Sequence, residues 1–372
     1  MEETPQIIGP SDVVSALLHE APSLLERSRA MIEPVQQERD AIRDFLASTG
    51  QLAPLSEDLG GFQVGCTDGG YTTSPFIIGD HIATMSVAVA QRDEGQAVGV
   101  VGHKQWSDFR GHSPDTELLA KAIMMTHEVE LLSALPQDSV KIIDGSFLTH
   151  LTTIYTGLAS SEEAVREEVI TAVSSPGFEA GLREIASNSL VVACPKSDSS
   201  QTLWADAAQH LGLAPSGIPD KALATLLLES GEVLAGGASG FSWERVSLAR
   251  AHITDPRAKQ AADNLATITA PLATDGTVKP FFVKPHGSNL CTRIETKDSL
   301  DSFDLDDVTA SISETVTSPF MQEPLAQYVA DIFAKQVSTG TAVQAENLRL
   351  DLESLDGSKD FIDYFIRYYR TN

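Results

Sequence analysis

The sequence predicts an α/β protein in which helices flank a mixed sheet and a helical extension precedes it. Two observations predict this class. Short apolar runs rich in β-branched residues alternate with segments of helical periodicity, and their order is strands, helix, strand. The 372 residues are 42% hydrophobic and 21% charged, which is the composition of a globular protein.

The N-terminal part, residues 1–58, is predicted to form the helical extension. Apolar residues recur at helical spacing, and a second helix is expected from about residue 32 to residue 48. Two amphipathic helices ahead of a core either pack on it or serve as a docking arm, and the sequence leaves both open. Residues 341–372 are predicted to close the chain as a helical segment, with an aromatic-rich helix over 361–369.

The central part, residues 59–340, is predicted to contain the sheet. Apolar runs in its first third indicate an antiparallel meander, with Asp68 at the exit of the first strand. A long helix over 115–135 and a buried strand ending at Asp144 follow. We expect a mostly helical insertion over about 151–265, and then a strand pair at 281–284 and 291–295.

Charge and cysteine content limit the function classes. The net charge of −26, from 52 acidic and 26 basic residues, argues against a simple electrostatic grip on nucleic acid. It does not exclude a nuclease, because metal ions and a basic partner can supply positive charge locally. The three separated cysteines imply neither a disulfide framework nor a structural zinc site. Without a signal-peptide pattern or an apolar run of membrane-spanning length, we expect a cytoplasmic protein with no membrane partner.

Carboxylates recur where predicted strands end. Asp68 precedes two glycines, Asp144 precedes Gly-Ser, and the helix between them carries Glu128 and Glu130. Either aspartate alone is more typical of a turn. Together, acids from two strand ends and a helix indicate a site for Mn²⁺ or Mg²⁺, since these ions prefer oxygen ligands.

The face of the predicted helix on which each glutamate lies indicates which of them completes the site. Glu130 shares an apolar face with Leu119 and Ile123, whereas Glu128 projects nearly opposite, beside Lys121. A carboxylate on a face that packs against the sheet is costly unless it is paired or bound to metal. This favours Glu130, with an edge position or pairing to a neighbouring histidine as the alternative.

Two lysines follow apolar strands. Lys284 and Lys196 are candidates for offsetting charge in the transition state of phosphodiester hydrolysis. The alternative for each is an ordinary lysine at the end of a strand.

The ordered motifs resemble the NurA nuclease domain. They are residues 67–70, 127–134 and 142–146, followed by 282–284 with 292–295, and the resemblance spans roughly residues 60–335. It implies an RNase H-like core and a Mn²⁺- or Mg²⁺-dependent DNA nuclease that acts as an end-processing exonuclease and a single-strand endonuclease. It also implies a homodimer that works with the hexameric ATPase HerA, in DNA repair or phage defence.

Carried over from the resemblance, Asp68 and Asp144 bind metal, and the helical glutamate falls on Glu128 by order. Because helical phase favours Glu130, both glutamates remain candidates. The late strand pair adds the further candidates Arg293 and Glu295.

The sequence departs from the family near its C-terminus. Residues 318–330 contain no histidine where the family offers one near the metal, and Tyr328 does not occupy the position of the family's tyrosine. Either His286 substitutes from another loop, or the protein uses fewer ligands, or it is less active. Two rival functions therefore stay open: a catalytically reduced assembly subunit of a HerA complex, and an RNase H-like phosphoesterase acting on another nucleic acid.

Overall fold

The computed structural model describes residues 10–56, 61–76, 79–91, 98–197, 200–213, 217–236, 244–273, 278–297, 302–321 and 323–353. The aromatic-rich helix predicted over 361–369 lies outside these ranges.

Nine strands in the described ranges form one mixed sheet. The strands are β1 (Leu52–Pro54), β2 (Gln63–Phe76), β3 (Gly79–Gln91), β4 (Val98–Arg110), β5 (Ser139–Asp144), β6 (Val191–Cys194), β7 (Glu232–Ala235), β8 (Val278–Lys284) and β9 (Thr292–Lys297). Their order across the sheet is β1-β7-β8-β9-β6-β5-β2-β3-β4.

One half of the sheet is an RNase H-like core. β2, β3 and β4 form an antiparallel meander, and β5 then pairs in parallel with β2, with Thr67 opposite Ile143. β6 continues the parallel pairing beyond β5. The remaining strands extend the sheet in antiparallel fashion, joined to β6 where Ala193 pairs with Glu295 on β9. The predicted class, a mixed sheet flanked by helices, is confirmed.

Thirteen α-helices lie in the described ranges, and most of them pack on the two faces of this sheet. They are α1 (Pro10–Gln37), α2 (Arg39–Ser48), α3 (Thr116–Leu131), α4 (Phe147–Leu158), α5 (Glu163–Val173), α6 (Pro176–Ser187), α7 (Thr202–Leu211), α8 (Asp220–Leu227), α9 (Glu244–Ala251), α10 (Pro256–Thr269), α11 (Ser302–Glu314), α12 (Leu325–Ala334) and α13 (Gln336–Glu353). In the parts of the chain that are described, none of these helices combines the length and the apolar character of a membrane span.

The hydrophobic core has a layer on each side of the central strands. On one side, α3 to α6 and α10 pack on a face that includes Ile143 and Ala193. On the other side, α11 and α12 pack on the alternate residues, among them Ile142 and Cys194. Because successive strand residues point to opposite faces, Asp144 lies on the same side of the sheet as Cys194, its register partner.

The N-terminal helices lie beside the half of the sheet that contains β7 and β8. Ile42 and Leu46 of α2 are buried with residues of α7, α8 and β8, and Arg43 forms a two-pronged ion pair with Glu232 on β7. α1 runs through Pro22 as one helix, and its Leu24 is half exposed at 52%. The part of the extension nearest the sheet is therefore packed on the core, and part of the remainder faces solvent.

Candidate active site

Asp68 lies in the middle of a strand. β2 continues through Gly69 and Gly70 to Phe76, and Asp68 pairs with Val87 on β3, so the prediction that it marks a strand exit is wrong. Two helices pack so closely on β2 that positions 69 and 70 have room only for glycine. A Cβ at Gly69 would lie 2.5 Å from a side-chain carbon of Met124 on α3, and one at Gly70 would lie 2.5 Å from the carbonyl oxygen of Ala334 on α12.

Asp144 is the last residue of β5, as the sequence predicts. Gly145 follows with φ of +89°, a left-handed conformation that glycine adopts without strain, and Ser146 then caps α4 by accepting a hydrogen bond from the Leu148 amide. Since β5 is parallel to β2 and adjacent to it, Asp144 interacts directly with Asp68. The fold thus joins the two predicted aspartates.

Lys196, just after β6, lies between these two aspartates. Its Nζ is 3.1 Å from Oδ2 of Asp68 and 3.1 Å from Oδ2 of Asp144. Two further acids contact the same ammonium, Asp331 at 2.8 Å and Glu323 at 3.5 Å. Burial disfavours the charge on Lys196, but Asp68 and Asp144 outweigh it and the pKa of the ammonium is raised. One cation is therefore shared by four carboxylates.

The pKa of Asp68 reflects the charged groups that lie close around it. Burial raises the pKa of its carboxyl well above the ordinary value, the neighbouring charge of Asp144 raises it further, and Lys196 opposes both. Oδ1 accepts a hydrogen bond of 2.7 Å from the Gly69 amide, which leaves Oδ2 directed at the ammonium. The Gly69 amide thus orients the Asp68 carboxylate toward the position of the Lys196 ammonium, where a positive charge is stabilised.

Glu128, not Glu130, reaches this cluster. Glu128 is 2% exposed and close enough to Asp144 and Asp68 for their charges to interact, and burial raises its pKa. Glu130 pairs instead with Lys104 on β4 and accepts a hydrogen bond from Ser175. Helical phase fails to identify the buried acid because α3 packs against the sheet, α4, α5 and α6 at once, so it has no single buried face.

His150 on α4 is the partner of Glu128. Its Nε2 lies 2.6 Å from Oε2 of Glu128, and both side chains are buried. Sequence reasoning missed this residue. Its position six residues after Asp144, one turn into a capped helix, is the only local signal in the sequence.

α12 supplies one acid and one amide in the stretch where the family resemblance implies a histidine. Gln327 donates a 2.5 Å hydrogen bond to Oδ1 of Asp144, and Asp331, one turn later, contacts Lys196. Tyr328 is 45% exposed. The i, i+4 spacing of Gln327 and Asp331 places both on the face toward the sheet, a signal that the sequence offers only once α12 is known to cover Asp144.

The remaining predicted residues have other contacts. Lys284 donates to the carbonyl oxygens of Thr225 and Leu228 at the end of α8, at 3.0 and 2.9 Å. His286 is exposed in the turn after β8. Glu295 on β9 pairs with Arg293 at 2.8 Å and accepts a hydrogen bond from the Phe147 amide at the start of α4. Lys284 and His286 thus have no contact with the carboxylate cluster among those described, whereas Glu295 supports the helix that follows Asp144.

The donor set fits a hard divalent cation. Asp68 and Asp144 each direct an oxygen at one positive centre, and Glu128 adds a third nearby carboxylate. Among the described residues, no group of three or more His, Cys, Asp or Glu side chains is already arranged around an ion position. The Lys196 ammonium lies between the Asp68 and Asp144 oxygens, at the position that a metal ion would take.

The sheet order defines an RNase H-like fold, and the cluster places a buried acidic centre at the junction of its two parallel strands β2 and β5. The chain follows the NurA-type fold. The NurA nuclease from Sulfolobus solfataricus superimposes with a TM-score of 0.54 at 11% identity, covering 90% of this chain and 97% of that one. A NurA structure with manganese gives a TM-score of 0.53 at 10% identity, covering 91% and 99%. No protein-family model and no curated protein matches the sequence.

Proposed function

We propose that the protein is a divalent-metal-dependent deoxyribonuclease. The observation that carries this proposal is that Asp68 and Asp144, from two adjacent strands, contact one ammonium, with the carboxylate of Glu128 on α3 near enough for its charge to interact with theirs. The NurA-type fold supports it, because the likeness covers nearly the whole length of both chains.

The ion would be Mn²⁺ or Mg²⁺, held by Asp68 and Asp144 with Glu128 beside them. When bound, it supplies an activated water and stabilises charge on the phosphoryl oxygens. The chain's own residues orient the carboxylates: the Gly69 amide fixes Asp68, and the Gln327 amide fixes Asp144. Lys196 would leave the ion position and neutralise charge on the phosphate group.

The acidic surface bears on how DNA reaches the site. With a net charge of −26, the protein gains little from the counterion release that drives most DNA binding. We propose that a HerA-type hexameric ATPase delivers DNA to a homodimer of this chain for end processing, in DNA repair or phage defence. The isolated protein should then bind DNA weakly and with little dependence on salt. Tight binding that falls steeply with salt would contradict delivery by a partner.

The direct test is degradation of linear DNA with Mn²⁺. The wild type should degrade it, and Asp144→Asn should lose at least about 100-fold in rate, because the substitution removes a ligand charge and keeps the side-chain shape. Glu130→Gln is the matched control, since Glu130 pairs with Lys104 outside the cluster. Equal rates for the wild type and Asp144→Asn would refute the proposal.

A further inference from the structure

His150 is hydrogen-bonded at both ring nitrogens. Nδ1 lies 3.0 Å from the carbonyl oxygen of Ser146, and Nε2 lies 2.6 Å from Oε2 of Glu128. The side chain is 3% exposed, as is that of Glu128. A ring held at both ends in a buried place has one orientation.

The hydrogen-bond partners determine which ring nitrogen of His150 carries a hydrogen. A carbonyl oxygen only accepts, so Nδ1 of His150 carries a hydrogen and donates it to Ser146. Nε2 is then the atom that faces Glu128, and one further proton is shared between Nε2 and the carboxylate. The imidazole thereby fixes the position of one oxygen of Glu128.

The same ring packs against the turn that follows Asp144. A Cβ at Gly145 would lie 3.4 Å from Cε1 of His150, and Ser146, whose carbonyl the ring contacts, caps α4. His150 therefore contacts both parts of the cluster, the turn after β5 on one side and α3 on the other.

We propose that His150 is a positioning residue of the candidate site, which ties the Asp144 turn to α3 and directs the Glu128 carboxylate toward the ion position. The inference rests on the proposed metal-dependent function. Partners that orient metal-ligating side chains contribute about 10–100-fold to metal affinity or activity in other proteins. A histidine that only filled the core would contribute to stability and not to metal affinity.

The test is the affinity for Mn²⁺, measured by titration calorimetry on the full chain. His150→Phe keeps a ring beside Gly145 and loses both hydrogen bonds, so it should weaken Mn²⁺ binding about 10–100-fold. His150→Asn, which is too short to reach both partners, should weaken it similarly and serves if the phenylalanine variant does not fold. The control is His127→Phe on α3: His127 precedes Glu128 in the sequence and is half-buried, and its buried Nδ1 has no hydrogen-bond partner in the described part of the chain. This variant should bind Mn²⁺ as the wild type does.

A double-variant cycle separates positioning from general destabilisation. If His150 acts through Glu128, adding His150→Phe to Glu128→Gln should cause no more than about a twofold further loss of Mn²⁺ affinity. Wild-type affinity in a folded His150 variant, or losses that multiply in the double variant, would overturn the inference alone. A wild type that neither binds Mn²⁺ nor cleaves DNA would overturn the proposed function, and the inference with it.

Discussion

The Lys196 ammonium lies 3.1 Å from the Asp144 carboxylate, and it is shared with Asp68, Asp331 and Glu323. These four acids come from β2, β5, α12 and the segment before α12, and one of them, Asp331, also pairs with Lys335, so negative charge exceeds positive charge around Lys196. A partly buried excess of negative charge is unfavourable. A divalent cation relieves it, which connects the stability of this region to metal binding.

Removing that ammonium should make the protein depend on divalent ions for stability. Lys196→Met leaves the four carboxylates without their shared cation and should lower the free energy of unfolding by about 1–3 kcal/mol in EDTA. Mn²⁺ should restore much of this loss, as measured by urea unfolding with and without the ion.

Lys284→Met is the matched control for this experiment. It removes two hydrogen bonds to carbonyl oxygens at the end of α8 and should also destabilise by about 1–3 kcal/mol. Mn²⁺ should stabilise this variant by the same amount as the wild type. An identical response of the two variants to Mn²⁺ would show that Lys196 does not lie at an ion position.

The two glutamates of α3 should behave differently. Glu128→Gln removes a buried carboxylate of the cluster and should lower Mn²⁺ affinity at least about tenfold. Glu130→Gln removes an ion pair with Lys104 and should change the affinity less than twofold. Calorimetric titration of both variants checks this, and a larger effect at Glu130 would contradict the assignment of the cluster.

The second glycine after Asp68 should resist substitution. A Cβ at Gly70 would meet the Ala334 carbonyl of α12, so Gly70→Ala should destabilise by about 1–3 kcal/mol as α12 is pushed away. Gly340, which is exposed in α13 with no atom near an added Cβ, offers the opposite case. Gly340→Ala should stabilise by about 0.5–1 kcal/mol, as measured by denaturant unfolding. A tolerated Gly70→Ala would mean that α12 does not press on β2.

The raised pKa of Asp68 predicts how stability changes with pH. Burial and then Asp144 raise this pKa above its ordinary 3.8, so the folded state keeps a proton that the unfolded chain releases. The resulting stabilisation is fully present below pH 3.8 and is lost as pH rises through the folded pKa. In EDTA, Asp68→Asn should remove this component, so the wild type should lose stability with rising pH more steeply than the variant. Parallel pH profiles of unfolding free energy would contradict the prediction.

Local sequence signals were sufficient for Asp144 and the strand that it ends, but not for β2, which continues past Asp68, or for the short strands β1 and β7. The apolar run ending at Asp144, followed by Gly-Ser, describes a buried strand, a left-handed turn and a helix cap, and each of these is decided within a few residues. The meander and the late strand pair follow from the same kind of local pattern. These parts of the fold were therefore predictable from the sequence.

Contacts between distant segments were not predictable in this way. Lys196 and Lys284 look alike in sequence, each following an apolar strand, but β6 lies beside β5 whereas β8 lies next to β7 and under α8. Only the sheet order distinguishes them. Gln327 likewise gains its role because α12 packs on β2 and β3 and its Gln327 side chain reaches Asp144 at the end of β5, which no local pattern indicates.

The central claim is that the cluster around Lys196 holds a divalent ion, and the most direct measurement is anomalous scattering from a crystal soaked in Mn²⁺. We predict one strong peak within about 2.0–2.3 Å of oxygens from Asp68 and Asp144, with the Lys196 ammonium displaced from between them. A soaked crystal without a peak at this position, and with Lys196 still bridging the two aspartates, would contradict the claim.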